Sequence, residues 1–152
     1  PEAIISACVV AELAAWAIEQ HPVDAVIAAG LHEAEELTQQ HALHPATLQP
    51  LRQATSGGWP PNTAEPTLDA LATVASVLHV LREARGLATA MKRAVALGGD
   101  TDTTAAIVGG ILGCQLEDVG SRIPWLSSVG MPDAGQIEAT AAGLYELRRT
   151  SH

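Results

Sequence analysis

The run Gly98-Gly99-Asp100-Thr101-Asp102-Thr103-Thr104 holds the densest chemistry in the chain. Asp100 and Asp102 stand two residues apart, so on an extended loop their carboxylates project to the same side. Thr103 adds a hydroxyl beside them. No charged residue follows until Glu117, which predicts a dry, central helix directly behind the loop. Holding ionised carboxylates at the edge of such a core costs on the order of several kcal/mol for each unpaired ion. A helix N-terminus returns about 0.3–1 kcal/mol per carboxylate at an exposed site, and about 2 when partly buried. The balance falls short, and a bound cation would close it. An all-oxygen donor set selects a hard one such as Mg²⁺, Mn²⁺ or Ca²⁺, and Gly98 and Gly99 let the backbone approach whatever the metal holds. The competing account makes Asp102 an N-cap and Asp100 a solvated turn residue. It normally holds for a bare D-x-D-T pattern; the uncharged helix behind the loop weighs against it.

The other chemical groups carry less. His41 and His44 have an i, i+3 spacing with His32 nearby, but no cysteine pair or H-E-x-x-H run accompanies them, so solvated helix-end histidines are expected. His79, inside an apolar helix, is expected to be a hydrogen-bonded core residue. Glu12 falls between Ile5 and Trp16 on the apolar stripe of its helix, where an unpaired carboxylate is expensive. Arg82 or Arg93 is its expected partner, and a cleft-lining acid is the alternative. Asp100 and Asp102 do not suit a glycosidase acid and nucleophile, because one loop does not readily flank a scissile bond from both sides. Gly109, Gly110 and Gly113 precede no lysine, so they read as close helix packing and not as a phosphate loop. Cys8 and Cys114 are expected on buried faces as inert small apolar groups.

The elements that must position these residues read as helices. The chain has 152 residues, 47% hydrophobic and 16% charged, enough for one domain with a sizeable core. Eight Lys+Arg against 17 Asp+Glu give a net charge of -9, which opposes binding to a nucleic-acid backbone or to an anionic membrane. The most membrane-like stretch, 103–116, falls short of the roughly 20 residues a bilayer requires. Two cysteines cannot build a disulfide framework, and no leader-like segment opens the chain, so a reduced, cytoplasmic setting is expected. Ile5, Val9, Leu13 and Trp16 mark a first helix over residues 2–20 that is buried on most sides. A second runs from about Asp24 to Gln40, and a short third follows Pro45. The run 56–66 is a loop, and a long helix after Pro66 carries Leu71, Ala75 and Leu78 on one face and Val74, Val77 and Leu81 on another. Helices at about 87–97, 103–114 and from Asp133 to near Arg149 complete an all-α, compact bundle of about seven helices in a single domain, 1–152.

GGDTDTTAAIVGGILG, residues 98–113, resembles the C-terminal signature of the ADP-ribosylglycohydrolase family, which includes the enzyme that reactivates dinitrogenase reductase. Gly57-Gly58-Trp59 before a Leu/Ala-rich helix resembles the family's glycine-aromatic loop. Ala94-Val95, Ile123-Pro124-Trp125-Leu126 and the opening Pro1-Glu2-Ala3-Ile4 also match in order. The resemblance implies an all-α fold binding two divalent ions, Mg²⁺ or Mn²⁺, with Asp100, Asp102 and Thr103 as metal ligands. It places Trp59 on the substrate cleft, with Gly99 at the same site. The implied reaction is hydrolysis of the glycosidic bond joining ADP-ribose to a modified protein side chain or a small molecule, with the metals gripping ribose hydroxyls and orienting a water. The chain resembles only the C-terminal half of the family. The threonine-aspartate-aspartate motif and the catalytic acid belong to the other half, so no catalytic residue is expected here. Three side chains cannot fill the roughly six-oxygen shell of Mg²⁺. A complementary N-terminal half is therefore expected, on a separate chain or missing from a fragment that begins at Pro1, and the chain alone is expected to be inactive. Helices 2–20 and 103–114, too apolar for a free surface, should leave an exposed apolar patch. The alternative is an inactive helical binding or structural protein, like the family's lens-crystallin relatives, that keeps the scaffold.

Overall fold

Prolines and glycines set the limits of the helices. The computed structural model describes residues 1–59, 69–117, 123–130 and 133–150. Among these residues there are seven α-helices and no strand: α1 (Glu2–Ile18), α2 (Val23–Gln40), α3 (Gln49–Ser56), α4 (Ala70–Glu83), α5 (Leu87–Ala96), α6 (Thr101–Gly113) and α7 (Ala134–Thr150). Pro22 stands at the N-cap of α2, and a 3₁₀ turn over Pro45–Leu48 leads into α3. Gly57, at φ +89°, ends α3, and Gly86, at φ +100°, opens α5; both lie in a region that costs other residues strain. Asp69 caps α4, its carboxylate accepting from the backbone N–H of Leu71 at 2.9 Å and of Ala72 at 3.3 Å. Most of the loop expected at 56–66 lies outside the described residues.

The described chain groups into two compact units, Pro1–Arg122 and Ile123–His152. The second holds a 3₁₀ turn at Leu126–Ser128 and α7. The first holds α1 to α6 and the principal core. Its axis is α4, which touches all five other helices of the unit and buries Leu71, Val74, Ala75, Val77, Leu78, Val80 and Leu81. The two-faced pattern of that helix was legible in the sequence. The central place expected for α6 was not observed. α6 buries Thr104, Ala105, Val108, Ile111 and Leu112, but Asp102, Thr103, Ala106 and Gly110 are exposed. The first helix departs from expectation in the same way. It buries Ile5, Ser6, Val9, Leu13 and Ala17 and leaves Ala3, Ile4, Ala7, Ala11 and Ala15 in solvent. Lack of charge did not make either helix internal, because alanine and glycine lose little by facing water.

Three contacts fix the helices that carry the site. A Cβ on Gly30 would stand 2.7 Å from Leu13 Cδ2, so α1 and α2 approach as closely as they do because that side chain is absent. Gly109 allows α5 to come near, with Met91 Sδ 3.1 Å from the position of its Cβ. Gly110 and Gly113, expected to serve the same purpose, face open space. Finally, Gln20 Nε2 donates to the carbonyl of Cys114 at 2.7 Å and Gln115 Nε2 to that of His21 at 2.6 Å. These bonds tie the turn after α1 to the end of α6.

Candidate functional site

The acidic run sits at the head of α6, but the helix starts at Thr101, two residues earlier than its sequence pattern suggested. Asp100 is therefore the N-cap and Asp102 lies in the first turn, whereas an extended loop had been expected to carry both. Gly98 and Gly99 turn the chain into this helix at φ +74° and +71°. Two successive left-handed residues explain the glycine pair. The Asp100 side chain makes no capping hydrogen bond although it holds the capping position.

Its carboxyl engages Asp102. The hydrogen bond from Asp100, followed by the backbone N–H groups of Thr103 and of Asp102 itself, holds the Asp102 carboxyl below the usual carboxylate range, and desolvation opposes them weakly. The stabilised form is thus the anion, at a helix N-terminus where negative charge is favoured. Asp102 and Thr103 are exposed and Asp100 is half-buried. Asp100, Asp102 and the Thr103 hydroxyl stand together at the helix head and offer hard oxygens of the kind a divalent cation takes. Among the described residues no group of three or more His, Cys, Asp or Glu is placed to hold a metal ion.

Two hollows adjoin Asp100. A groove of about 500 Å³ runs between α1, α4 and α6, walled mainly by Ala3, Ala7, Val10, Val74 and Ile107, with Asp100 and Thr103 also on its lining. A much smaller cavity, about 20 Å³, brings Trp59, Gly98 and Gly99 to Asp100 and to the α4 hydroxyls Thr73 and Ser76. The residues expected at the site, Trp59, Gly99, Asp100, Asp102 and Thr103, therefore converge on the head of α6. Thr73 and Ser76 were missed. The available signal was two hydroxyls three residues apart on a helix that is otherwise nearly all apolar.

Several other expectations need correction. Glu12 pairs with neither arginine; Trp16 Nε1 donates to its Oε1 at 2.7 Å, and Arg82 and Arg93 both face Glu83. One helical turn separates Glu12 from Trp16, so the local partner wins over the distant one. His79 Nδ1 is buried without a partner, where a hydrogen-bonded core residue had been expected. Cys8 is half-buried and Cys114 exposed, so neither occupies a fully buried face. Of the three histidines expected at helix ends, His41 follows the last residue of α2 and His44 Nδ1 accepts from the backbone N–H of Ala46 at the head of the 3₁₀ turn, whereas His32 lies mid-way along α2 and faces Glu36 at 3.5 Å.

The unit is an all-α protein that presents two carboxylates and a threonine at one helix head, beside an open groove. The chain matches the ADP-ribosylglycohydrolase family model over residues 1–152, and it belongs to that family. No curated protein and no solved structure matches it. No helix among the described residues is long and apolar enough to cross a membrane.

Proposed function

We propose that the chain forms the metal-holding part of a divalent-cation-dependent hydrolase that cleaves the bond between ADP-ribose and a protein side chain or a small molecule. The observation that carries this reading is the state of Asp100. It occupies the N-cap without capping the helix, and it lines both hollows at the head of α6. Asp100, Asp102 and Thr103 would hold the metal. Two ions, Mg²⁺ or Mn²⁺, supply Lewis acidity and a template for vicinal sugar hydroxyls and water when bound. The chain's own contribution is positional. The glycine pair aims Asp100, the first turn of α6 keeps Asp102 ionised, and Trp59 with Gly99 lines the substrate side. Three ligands fill about half of an octahedral shell, so the remaining ligands and the catalytic acid are assigned to a complementary segment.

The test exploits the idle cap. An N-cap aspartate that bonds its helix costs about 0.5–2 kcal/mol when replaced by alanine. Asp100→Ala should leave metal-free stability within about 0.5 kcal/mol of the parent, and weaken Mn²⁺ binding by about tenfold or more. Denaturation in a chelator and a calorimetric Mn²⁺ titration read the two quantities separately. Loss of stability with unchanged Mn²⁺ binding restores the capping role and removes the metal site.

A further inference from the structure

The indole of Trp59 lines the 20 Å³ cavity beside Asp100, and its Nε1 is buried without a hydrogen-bond partner. About 10–15 Å³ is enough for one water-sized group, so the space suits a single oxygen. An indole N–H can only donate, and a buried donor left unmet is costly. Whatever enters must therefore accept. The two hydroxyls of α4 on its wall have the converse need. Thr73 Oγ1 already donates to the carbonyl of Asp69 at 3.1 Å, and Ser76 Oγ to that of Ala72 at 3.0 Å. Their remaining capacity is lone pairs. These atoms must receive a proton. A group that accepts from an indole and donates to a hydroxyl or carboxylate oxygen is itself a hydroxyl. A phosphate oxygen has no proton to give them at neutral pH. An ammonium cannot accept.

We infer that this cavity seats one hydroxyl of the substrate's sugar, with Trp59 Nε1–H donating to it and Ser76 Oγ or the Asp100 carboxylate receiving its proton. Trp59 is then a specificity residue that reads a hydroxyl, and not only an apolar wall of the cleft. The inference rests on the glycoside reading above, because that reading brings a sugar to Asp100. An ordered water has the same donor and acceptor pattern, so the experiment must separate the two sources.

The indole N–H signals of Trp16, Trp59 and Trp125 can be followed in the ¹⁵N-labelled full chain, with Trp59→Phe assigning the one of interest. Mg²⁺ is added first, then ADP-ribose, and inorganic phosphate in a parallel sample. Adding ADP-ribose should shift the Trp59 indole signal and slow its hydrogen exchange about tenfold, and phosphate should leave it in place. Trp59→Phe and Ser76→Ala should each weaken ADP-ribose binding by about five- to tenfold, with Mn²⁺ affinity retained. A Trp59 proton in lasting contact with water, and indifferent to ADP-ribose, assigns the cavity to solvent and overturns the inference. An equal response to phosphate overturns it in favour of an anion site. A silent Trp59 while the amides of residues 100–104 respond removes this inference alone. No response anywhere to Mg²⁺ or ADP-ribose removes the glycoside reading and this inference with it.

Discussion

Asp102 is the residue whose ionisation the fold most clearly alters. Its carboxyl is held below the ordinary value of 3.8 by the Asp100 hydrogen bond and by backbone N–H groups. The unfolded chain therefore takes up this proton more readily than the folded one. Its contribution to stability is present above about pH 4 and fades as the pH falls through the lower folded value. In chelator, Asp102→Asn should be less stable than the parent at pH 6, and the gap should close well below pH 4. Urea titrations across that range measure it, and a gap independent of pH would mean that ionisation is not its source. Glu12 and Trp16 make a second residue-scale case. Their 2.7 Å bond joins an indole donor to a half-buried carboxylate. Glu12→Ala should cost about 1–2 kcal/mol and Glu12→Gln, which keeps an acceptor, roughly half of that. Equal costs would show that the charge matters and the bond does not. The two sites also mark what sequence can carry. Asp100, Asp102 and Thr103 were legible because consecutive positions fix their proximity. The meeting of Trp59 with Ser76 was not, because the two are distant in the chain and only the folded structure brings both to one cavity. The Glu12 partner was misread by looking across the fold when a residue one turn away sufficed.

At the scale of elements, stops were easier to read than burial. Pro22, Gly57 and Gly86 delimit helices as expected, because each forbids or requires a particular backbone conformation. Burial follows from packing, and α6 shows the difference. An uncharged, glycine-containing sequence suits close packing, but one face of the helix is open while α4, with Arg82 and Glu83 at its end, forms the axis. The glycines turn this contrast into a graded test. Gly30→Ala forces a carbon within 2.7 Å of Leu13 Cδ2 and should destabilise by about 1–3 kcal/mol through overpacking. Gly109→Ala meets only the flexible end of Met91 and should be close to neutral. Gly110→Ala meets nothing and should stabilise the isolated chain by about 0.5–1 kcal/mol, the usual helix preference for alanine over glycine. Thermal or chemical denaturation orders the three variants. A destabilising Gly110→Ala would place a neighbour against a face that is open in this structure.

At the scale of the molecule, two features stand side by side that are usually kept apart. A chain with net charge -9 carries a mainly apolar groove of about 500 Å³ reaching from α1 and α4 to Asp100 at the head of α6. Ile4 is 56% and Ile18 49% exposed on α1, so the apolar surface anticipated from the composition of that helix is present. A mainly apolar groove with exposed apolar side chains on the same helix favours being covered. Net charge keeps the chain soluble without altering that preference. The isolated chain should accordingly bind an environment-sensitive apolar dye. A carboxylate placed in the groove should suppress that binding, because a charge there excludes an apolar guest while remaining hydrated itself. Ala3→Glu and Ala7→Glu suit this purpose, since both native side chains line the groove and are exposed. Each should shift stability by no more than about 0.5 kcal/mol. Dye fluorescence falling severalfold at unchanged stability locates the open apolar surface on α1. Fluorescence that persists in the double variant moves it elsewhere. Parallel Mn²⁺ titrations complete the argument: Ala7 lines the groove but holds no ligand position, so metal affinity should survive the loss of dye binding. If both are lost together, the groove and the head of α6 are one cooperative site.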